Sequence, residues 1–185
     1  MLDQPPVRRL GGGMKASLFA LFVALLMAGC GNETPSSNAP KAIDLNDTKV
    51  LEKIIAEAID EDILQFRDMK GEELAYAPNQ EAPYSGWGKV TYDKGNIWRV
   101  NQYKDGKDDG SSMSWYGNGR KKWESTYKDG KPMSIVVWKP NGEKCPASNL
   151  VNGNGVWVVY GDSGTEWYRS TYKDGKPVDD LPFPK

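Results

Sequence analysis

Histidine is missing from this chain of 185 residues, and cysteine occurs only twice, as Cys30 and Cys145. A chain without histidine has no His-based nucleophile triad, no imidazole general base and none of the usual catalytic zinc ligand sets. Two cysteines form at most one disulfide, so disulfides do not hold a small scaffold together here. We therefore expect no metal site and no cofactor, and a binding or structural module rather than an enzyme.

Neither sign of charge is in excess, because the chain has 24 Lys+Arg and 25 Asp+Glu residues. Balanced charge gives no long-range attraction to a polyanion. We therefore expect no nucleic-acid partner. The length suits one domain with attached segments.

Long apolar runs are also scarce, and the one present, residues 16–28, follows Lys15 near the N-terminus. It is shorter than the about 20 residues that a transmembrane helix needs, and it has the length of a signal-peptide core. The run leads into Leu26-Met27-Ala28-Gly29-Cys30, which resembles a lipobox, in which small residues precede a cysteine that becomes lipidated. We predict a signal peptide at residues 1–29, with Met14 as an alternative start, and lipidation of Cys30.

The segment after the lipidated cysteine, residues 30–47, is polar and interrupted by proline, as flexible tethers are. A diacylated cysteine gives stable membrane attachment, where a single acyl chain would be marginal. The sequence thus predicts an exported protein of the cell envelope that a lipid anchors to a membrane. Because position 31 is Gly and not Asp, the outer membrane is favoured over the inner one in a diderm bacterium.

Residues 48–70 are predicted to form one amphipathic helix. Its apolar stripe includes Leu51, Ile54, Ile55 and Ala58 at three- and four-residue steps. Two interpretations stay open: the helix packs over one end of the sheet that follows, or it binds a partner.

A repeat of 22–24 residues dominates residues 83–178. Asx-Gly pairs favour tight hairpin turns, and the stretches between them are rich in aromatic and β-branched residues. We predict a mainly β fold, an elongated antiparallel meander of about four hairpin units, followed by a tail at residues 179–185. Two sets of glycines are assigned to the turns: Gly95, Gly119, Gly142 and Gly164, and eleven residues after each, Gly106, Gly130, Gly153 and Gly175.

Aromatic residues recur with the same period and are predicted to form the core of the repeats. In the strand around Trp123 we expect Trp123 and Tyr127 on one face, and Lys122 and Glu124 on the other. Any ring that remains exposed is a candidate for stacking on a ligand. The predicted core aromatics are Tyr92, Tyr103, Trp115, Tyr116, Trp123, Tyr127, Trp138, Tyr160 and Tyr172.

The spacing of these aromatics also predicts a difference between turns. Tyr92 and Tyr116 stand three residues before their glycine, whereas Trp138 and Tyr160 stand four before theirs. The third and fourth turns should therefore be one residue longer.

The units resemble the MORN-variant repeat of the YwqK-type antitoxin family. The clearest similarity is Trp115-Tyr116-Gly117-Asn118-Gly119-Arg120-Lys121-Lys122, followed by Tyr-Lys-Asp-Gly-Lys at residues 127–131. The resemblance covers about residues 83–176 and implies a scaffold of hairpins and, by the family's name, neutralisation of a toxin. The third unit departs most, because Pro140 and Pro146 interrupt it.

Three functions remain open. The first is a membrane-anchored protein-interaction or envelope-structural module whose protein partner is unknown. The second is an antitoxin or immunity protein that binds a toxin directly. The third is an envelope hydrolase that uses carboxylates such as Asp108-Asp109 or Asp179-Asp180, for which solvated turn charge is the competing interpretation.

Overall fold

The computed structural model describes residues 43–178, and in this part the chain is mainly β, as predicted. The predicted signal peptide, Cys30 and the C-terminal tail lie outside the described residues. The helix α1 spans Thr48–Glu57, and a single 3-10 turn spans Glu61–Ile63. The strands are β1 Ile59–Asp60, β2 Gln65–Met69, β3 Glu72–Tyr76, β4 Gly86–Thr91, β5 Ile97–Lys104, β6 Lys107–Trp115, β7 Lys121–Lys128, β8 Lys131–Val137, β9 Gly155–Tyr160, β10 Glu166–Lys173 and β11 Lys176–Pro177.

The strands form three sheets. A six-stranded sheet has the order β1-β4-β5-β6-β7-β8, a three-stranded sheet has the order β11-β10-β9, and β2 pairs with β3. Apart from the short parallel pair of β1 and β4, all pairs are antiparallel. The predicted meander is therefore correct in its pairing, but it is divided in two.

All eight predicted turn glycines have the positive φ that their turns require. The values are 82, 79, 93 and 80° for the first set, and 80, 77, 75 and 72° for the second. In the second set the preceding residue also has a positive φ, as in type I′ hairpin turns. These preceding residues are Asp105, Asp129, Asn152 and Asp174.

The sheet divides at the third unit, where the sequence departs from the repeat. The segment between β8 and β9 contacts β8 only through isolated backbone hydrogen bonds, among them Cys145 N–H to the Val137 carbonyl at 2.8 Å and Ile135 N–H to the Leu150 carbonyl at 3.2 Å. Pro146 lies between these two bonds and has no N–H for a ladder. One apolar cluster nevertheless spans the division, since Ile135, Val137, Leu150 and Trp157 belong to it.

The helix is shorter than predicted, because it ends at Glu57 and not near residue 70. Ala58 is already extended, with φ −66° and ψ 133°, and its N–H closes the last turn on the Ile54 carbonyl. Residues 65–76 form the hairpin of β2 and β3 instead. Beyond Ala58, Glu61 is buried and pairs with Arg99 at 2.6 Å.

The interpretation in which the helix packs on the sheet agrees with the structure. Ile54 joins a buried cluster with Leu45, Val100 and Met113. Asp47 caps the helix by accepting from the Lys49 and Val50 backbone N–H groups.

The predicted tether is too long at its end, because Leu45 is buried in this cluster and Asn46 accepts a hydrogen bond from Lys121. Among the described residues no helix is both long and apolar enough to cross a membrane.

The end of α1 depends on a lysine from the sheet. Lys89 Nζ donates to the Ile55 carbonyl at 3.0 Å, one of the helix's last unpaired carbonyls. We expect Lys89→Met to lower the free energy of unfolding by about 1–2 kcal/mol, since a half-buried carbonyl loses a charged donor. Urea unfolding measures this loss. Lys53→Met, which removes a cation from the exposed side of the same helix, should change the stability by under about 0.5 kcal/mol, and an equal loss in both variants would contradict the account.

Candidate functional site: the Asx-Gly turn edge

The turns that contain Gly106, Gly130, Gly153 and Gly175 form one edge of the repeat region, and a backbone hydrogen bond ties each of them to an earlier part of the chain. The N–H of each glycine donates to a carbonyl about one repeat earlier in the chain. The pairs are Gly106 to Tyr84 at 2.8 Å, Gly130 to Asp108 at 2.8 Å, Gly153 to Met133 at 2.9 Å and Gly175 to Gly153 at 2.8 Å. Since one hairpin alone is marginal, these bonds make the turn edge part of what holds the units together.

Side chains add a second bond at three of these turns. The backbone N–H of the Asx residue donates to a side chain 20 residues earlier. The acceptors are Ser85 Oγ for Asp105 at 2.9 Å, Asp109 Oδ2 for Asp129 at 3.1 Å and Asn154 Oδ1 for Asp174 at 3.1 Å. Pro132 stands 20 residues before Asn152 and has no acceptor in its side chain. The third unit thus lacks this bond as well.

The first turn of this edge also holds the hairpin of β2 and β3. Ala75 N–H donates to the Gly106 carbonyl at 2.9 Å, and Glu72 pairs with Lys107 at 2.8 Å. The contact is close, because a Cβ on Gly106 would lie 2.9 Å from Leu74 Cβ. The edge of the repeats therefore binds a strand that carries a carboxylate.

Charge is divided between the two parts that meet here. Residues 43–82 have 11 acidic and four basic side chains, whereas residues 83–178 have 15 basic and ten acidic ones. The overall balance of the sequence conceals this division, which a count on either side of Pro83 would have found. The Glu72–Lys107 pair lies where the acidic part meets the basic part.

The opposite row of turns has its own connections between units. Tyr92 and Tyr116 donate their hydroxyls to the carbonyls of Trp115 and Trp138, at 2.9 and 2.6 Å. Burial raises the pKa of both tyrosines, and the carboxylate of Asp162 adds to the increase.

The four turns of this row have one length, so the predicted longer third and fourth turns are wrong. In each turn the first residue donates to the carbonyl four residues later and accepts from the glycine three residues later. The first residues are Tyr92, Tyr116, Lys139 and Gly161. Trp138 and Tyr160 precede the turn and correspond to Trp115, and the predicted difference came from aligning them with Tyr92 and Tyr116.

The predicted core aromatics separate into two groups. Tyr103, Tyr116, Trp123 and Tyr172 are buried. The other five, Tyr92, Trp115, Tyr127, Trp138 and Tyr160, are half-buried. Every aromatic ring in residues 43–178 is buried or half-buried, so none of them meets the condition of exposure set for a stacking candidate.

The aromatic column that crosses the units contains two indoles that the prediction omitted. Trp98 packs edge-on against Trp123 at 6.2 Å, Trp123 packs against Trp157 at 6.2 Å, and Trp157 packs against Tyr172 at 5.9 Å between ring centroids. Trp98 and Trp157 stand neither three or four residues before a glycine of the first set nor eight after one, which are the spacings that defined most of the predicted set.

Lys122 is buried, contrary to the predicted alternation of polar and apolar faces. The strand has a bulge at this position, since Ser114 pairs with Trp123 and Trp115 pairs with Lys121. The extra residue interrupts the alternation of faces. The Lys122 ammonium lies 5.1 Å from the Tyr116 ring centroid and 5.5 Å from that of Trp123. Burial lowers its pKa to about 8, and Asp162 offsets part of that shift.

The second cysteine and the carboxylate pair Asp108-Asp109 make contacts within the fold, whereas Asp179-Asp180 lies outside the described residues. Cys145 is buried, with its Sγ 3.2 Å from the Tyr160 hydroxyl. Asp109 pairs with Lys128 at 2.8 Å, and Asp108 accepts from Asn101, so these two carboxylates are engaged in the fold. The described part of the chain contains no group of histidine, cysteine, aspartate and glutamate side chains that could hold a metal.

Comparison with family models, with curated proteins and with solved structures finds no match to this chain. The resemblance to the MORN-variant antitoxin repeat therefore stays a prediction that rests on the quoted residues.

The side-chain acceptors of the turn edge can be tested at Asp109. Asp109→Ala should destabilise the protein by about 1–2 kcal/mol, because the Asp129 N–H and the Lys128 ammonium both lose their acceptor. Asp109→Asn keeps an acceptor and should recover about half of the loss. Asp93→Ala, an exposed turn position of the opposite row, is the matched control and should change thermal stability little. Equal effects of Asp109→Ala and Asp93→Ala would rule out this role.

The buried Lys122 gives the stability a pH dependence. Its folded pKa of about 8 lies below the ordinary value of 10.5, so the unfolded chain binds more protons between them. Stability should therefore rise with pH from about 8 to 9, by on the order of 1 kcal/mol, in the range below the ordinary tyrosine pKa of about 10. In Lys122→Met this rise should disappear. Urea unfolding at pH 7, 8 and 9 measures it, and an unchanged slope in Lys122→Met would refute the assignment.

Proposed function

We propose that this chain is a lipid-anchored protein of the bacterial cell envelope that acts as a non-enzymatic protein-interaction or envelope-structural module. Export and anchoring are supported by residues 16–30, the apolar run that ends at Cys30. The outer membrane is the favoured location in a diderm bacterium. The interaction function is supported by the turn edge, which binds a strand of the same chain through the Ala75 N–H to Gly106 carbonyl bond.

A module of this kind would recognise its partner at the edge of the repeats. A turn carbonyl would accept from the backbone of an extended segment, and charged side chains beside the turn would supply the specificity. The turn edge offers both, because lysines flank three of its turns, as in Lys104 and Lys107 at the first. Specificity would therefore be for extended segments that carry acidic side chains.

The antitoxin alternative has one observation in its favour besides the resemblance. The acidic part, residues 43–82, presents a surface that would complement a basic cleft of a toxin. In that case the acidic part, and not the repeats, would make the decisive contacts. Of the two carboxylate pairs of the hydrolase alternative, Asp108 and Asp109 are engaged in bonds within the fold.

Cross-linking in the native host tests the proposed function. Tagged protein is cross-linked in living cells, its captured partners are identified by mass spectrometry, and the membrane fraction is assayed beside them. We expect one dominant protein partner, and both the capture and the membrane fraction should fall at least tenfold in Cys30→Ser. Cys145→Ser is the matched control and should retain both.

The identity of the partner separates the two binding functions. A toxin encoded beside this chain would favour the antitoxin alternative, and a resident envelope protein would favour the interaction module. If no protein is enriched and Cys30→Ser stays in the membrane fraction, the proposed function is wrong in both its parts.

A further inference from the structure

Two turns of the edge are copies of one another in sequence and in backbone. The stretches 103–107 and 127–131 both read Tyr-Lys-Asp-Gly-Lys. Asp105 and Gly106 have φ values of 49 and 80°, and Asp129 and Gly130 have values of 48 and 77°. In each, the glycine N–H donates to a carbonyl 22 residues earlier at 2.8 Å. They therefore present the same backbone groups to a neighbouring segment.

The first copy shows what kind of segment binds to such a turn. An extended strand lies against it, the strand's Ala75 N–H donates to the Gly106 carbonyl at 2.9 Å, and a carboxylate three residues earlier, Glu72, pairs with Lys107 at 2.8 Å. The strand fills the space beside the glycine, as the 2.9 Å between a Cβ on Gly106 and Leu74 Cβ indicates. The contact thus combines one backbone bond, one ion pair and close packing.

The second copy is uncovered at its glycine within the part of the chain that the structure describes. No atom of that part lies within 4 Å of a Cβ on Gly130, and no backbone N–H of it donates to the Gly130 carbonyl. Lys128 is occupied by Asp109 at 2.8 Å. Lys131, which corresponds to Lys107, is exposed and forms no ion pair with residues 43–178.

From this difference we infer that the turn Lys128–Lys131 binds an extended acidic segment of a partner protein, in the way the first turn binds β3. A backbone N–H of the segment donates to the Gly130 carbonyl, and a carboxylate three residues earlier pairs with Lys131. The charge of the repeats, 15 basic against ten acidic side chains, favours such a segment. The inference rests on the proposed interaction function and names its site and the chemistry of its partner.

A peptide from the chain itself is the probe. A synthetic peptide with the sequence of residues 70–77, Lys-Gly-Glu-Glu-Leu-Ala-Tyr-Ala, is titrated into the 15N-labelled protein and followed by amide NMR. We expect the largest shifts at Gly130 and Lys131, and small ones at Gly119 in the opposite row. A peptide with both glutamates replaced by glutamine should bind at least fivefold more weakly.

The protein variants isolate the charge of the lysine. The aliphatic stem of Lys131 lies over Gly175, with 2.7 Å from Lys131 Cβ to a Cβ built there. Lys131→Met keeps that stem and removes the ammonium, so it should fold normally and weaken the peptide at least fivefold. Lys131→Arg should restore binding to within twofold. Lys94→Met removes an exposed lysine from the opposite row and should leave the affinity unchanged.

Three results would overturn the inference: no saturable shift up to millimolar peptide, shifts centred on Gly106 in place of Gly130, or equal affinity in Lys131→Met and the unchanged protein. These results can be distinguished from a failure of the proposed interaction function. If in-cell capture of a partner is strong but Lys131→Met captures as much of it, the module stands and this site is wrong. If nothing is captured in cells, the proposed function itself fails, whatever the peptide does.

Discussion

The structure depends on hydrogen bonds that join each hairpin turn to an earlier unit of the chain. On the turn edge each of these bonds comes from a glycine N–H aimed back along the array, which the positive φ of an Asx-Gly turn provides. Because a single hairpin is marginal in water, the units gain stability only from their neighbours. The same chemistry recurs at both rows of turns, with glycine N–H groups in one and the hydroxyls of Tyr92 and Tyr116 in the other.

This constraint also gives the turn edge its capacity to bind. A turn that donates its N–H to the preceding unit keeps its carbonyl for whatever lies beside it. At Gly106 the carbonyl accepts from β3, and at Gly153 it accepts from Gly175. Structural and binding contacts on this edge are therefore of one kind, and the turn at Gly130 differs from its copy at Gly106 in having no strand of the described chain against it.

Much of the fold could be predicted from the sequence, because the turn glycines act through local backbone geometry. All eight were placed correctly, since only residues that tolerate positive φ occupy such positions. The helix was overextended because Ile59 and Ile63 continue its apolar spacing, although Ile59 pairs with β4 in the folded protein. Lys122 was misplaced because a bulge interrupts alternation without leaving a mark in the sequence.

The candidate site was predicted only in part. The lysine-flanked turns were visible as motifs. The balanced charge of the whole sequence, however, concealed the division between an acidic N-terminal part and basic repeats. Nothing in the sequence indicates that β3 lies against the Gly106 turn, because Ala75 and Gly106 are brought together by the tertiary fold. The difference between the two identical turns could therefore be seen only in the structure.

Site-specific photocross-linking in living cells tests the central claim, that the Asx-Gly turn edge is the binding surface. A photoreactive amino acid replaces Asp129 on that edge or, in a matched variant, Asn118 on the opposite row. The account predicts that one cross-linked product forms from position 129 and is lost when Lys131→Met is added, while position 118 gives none. Equal products from the two positions, or a product from position 118 alone, would contradict it.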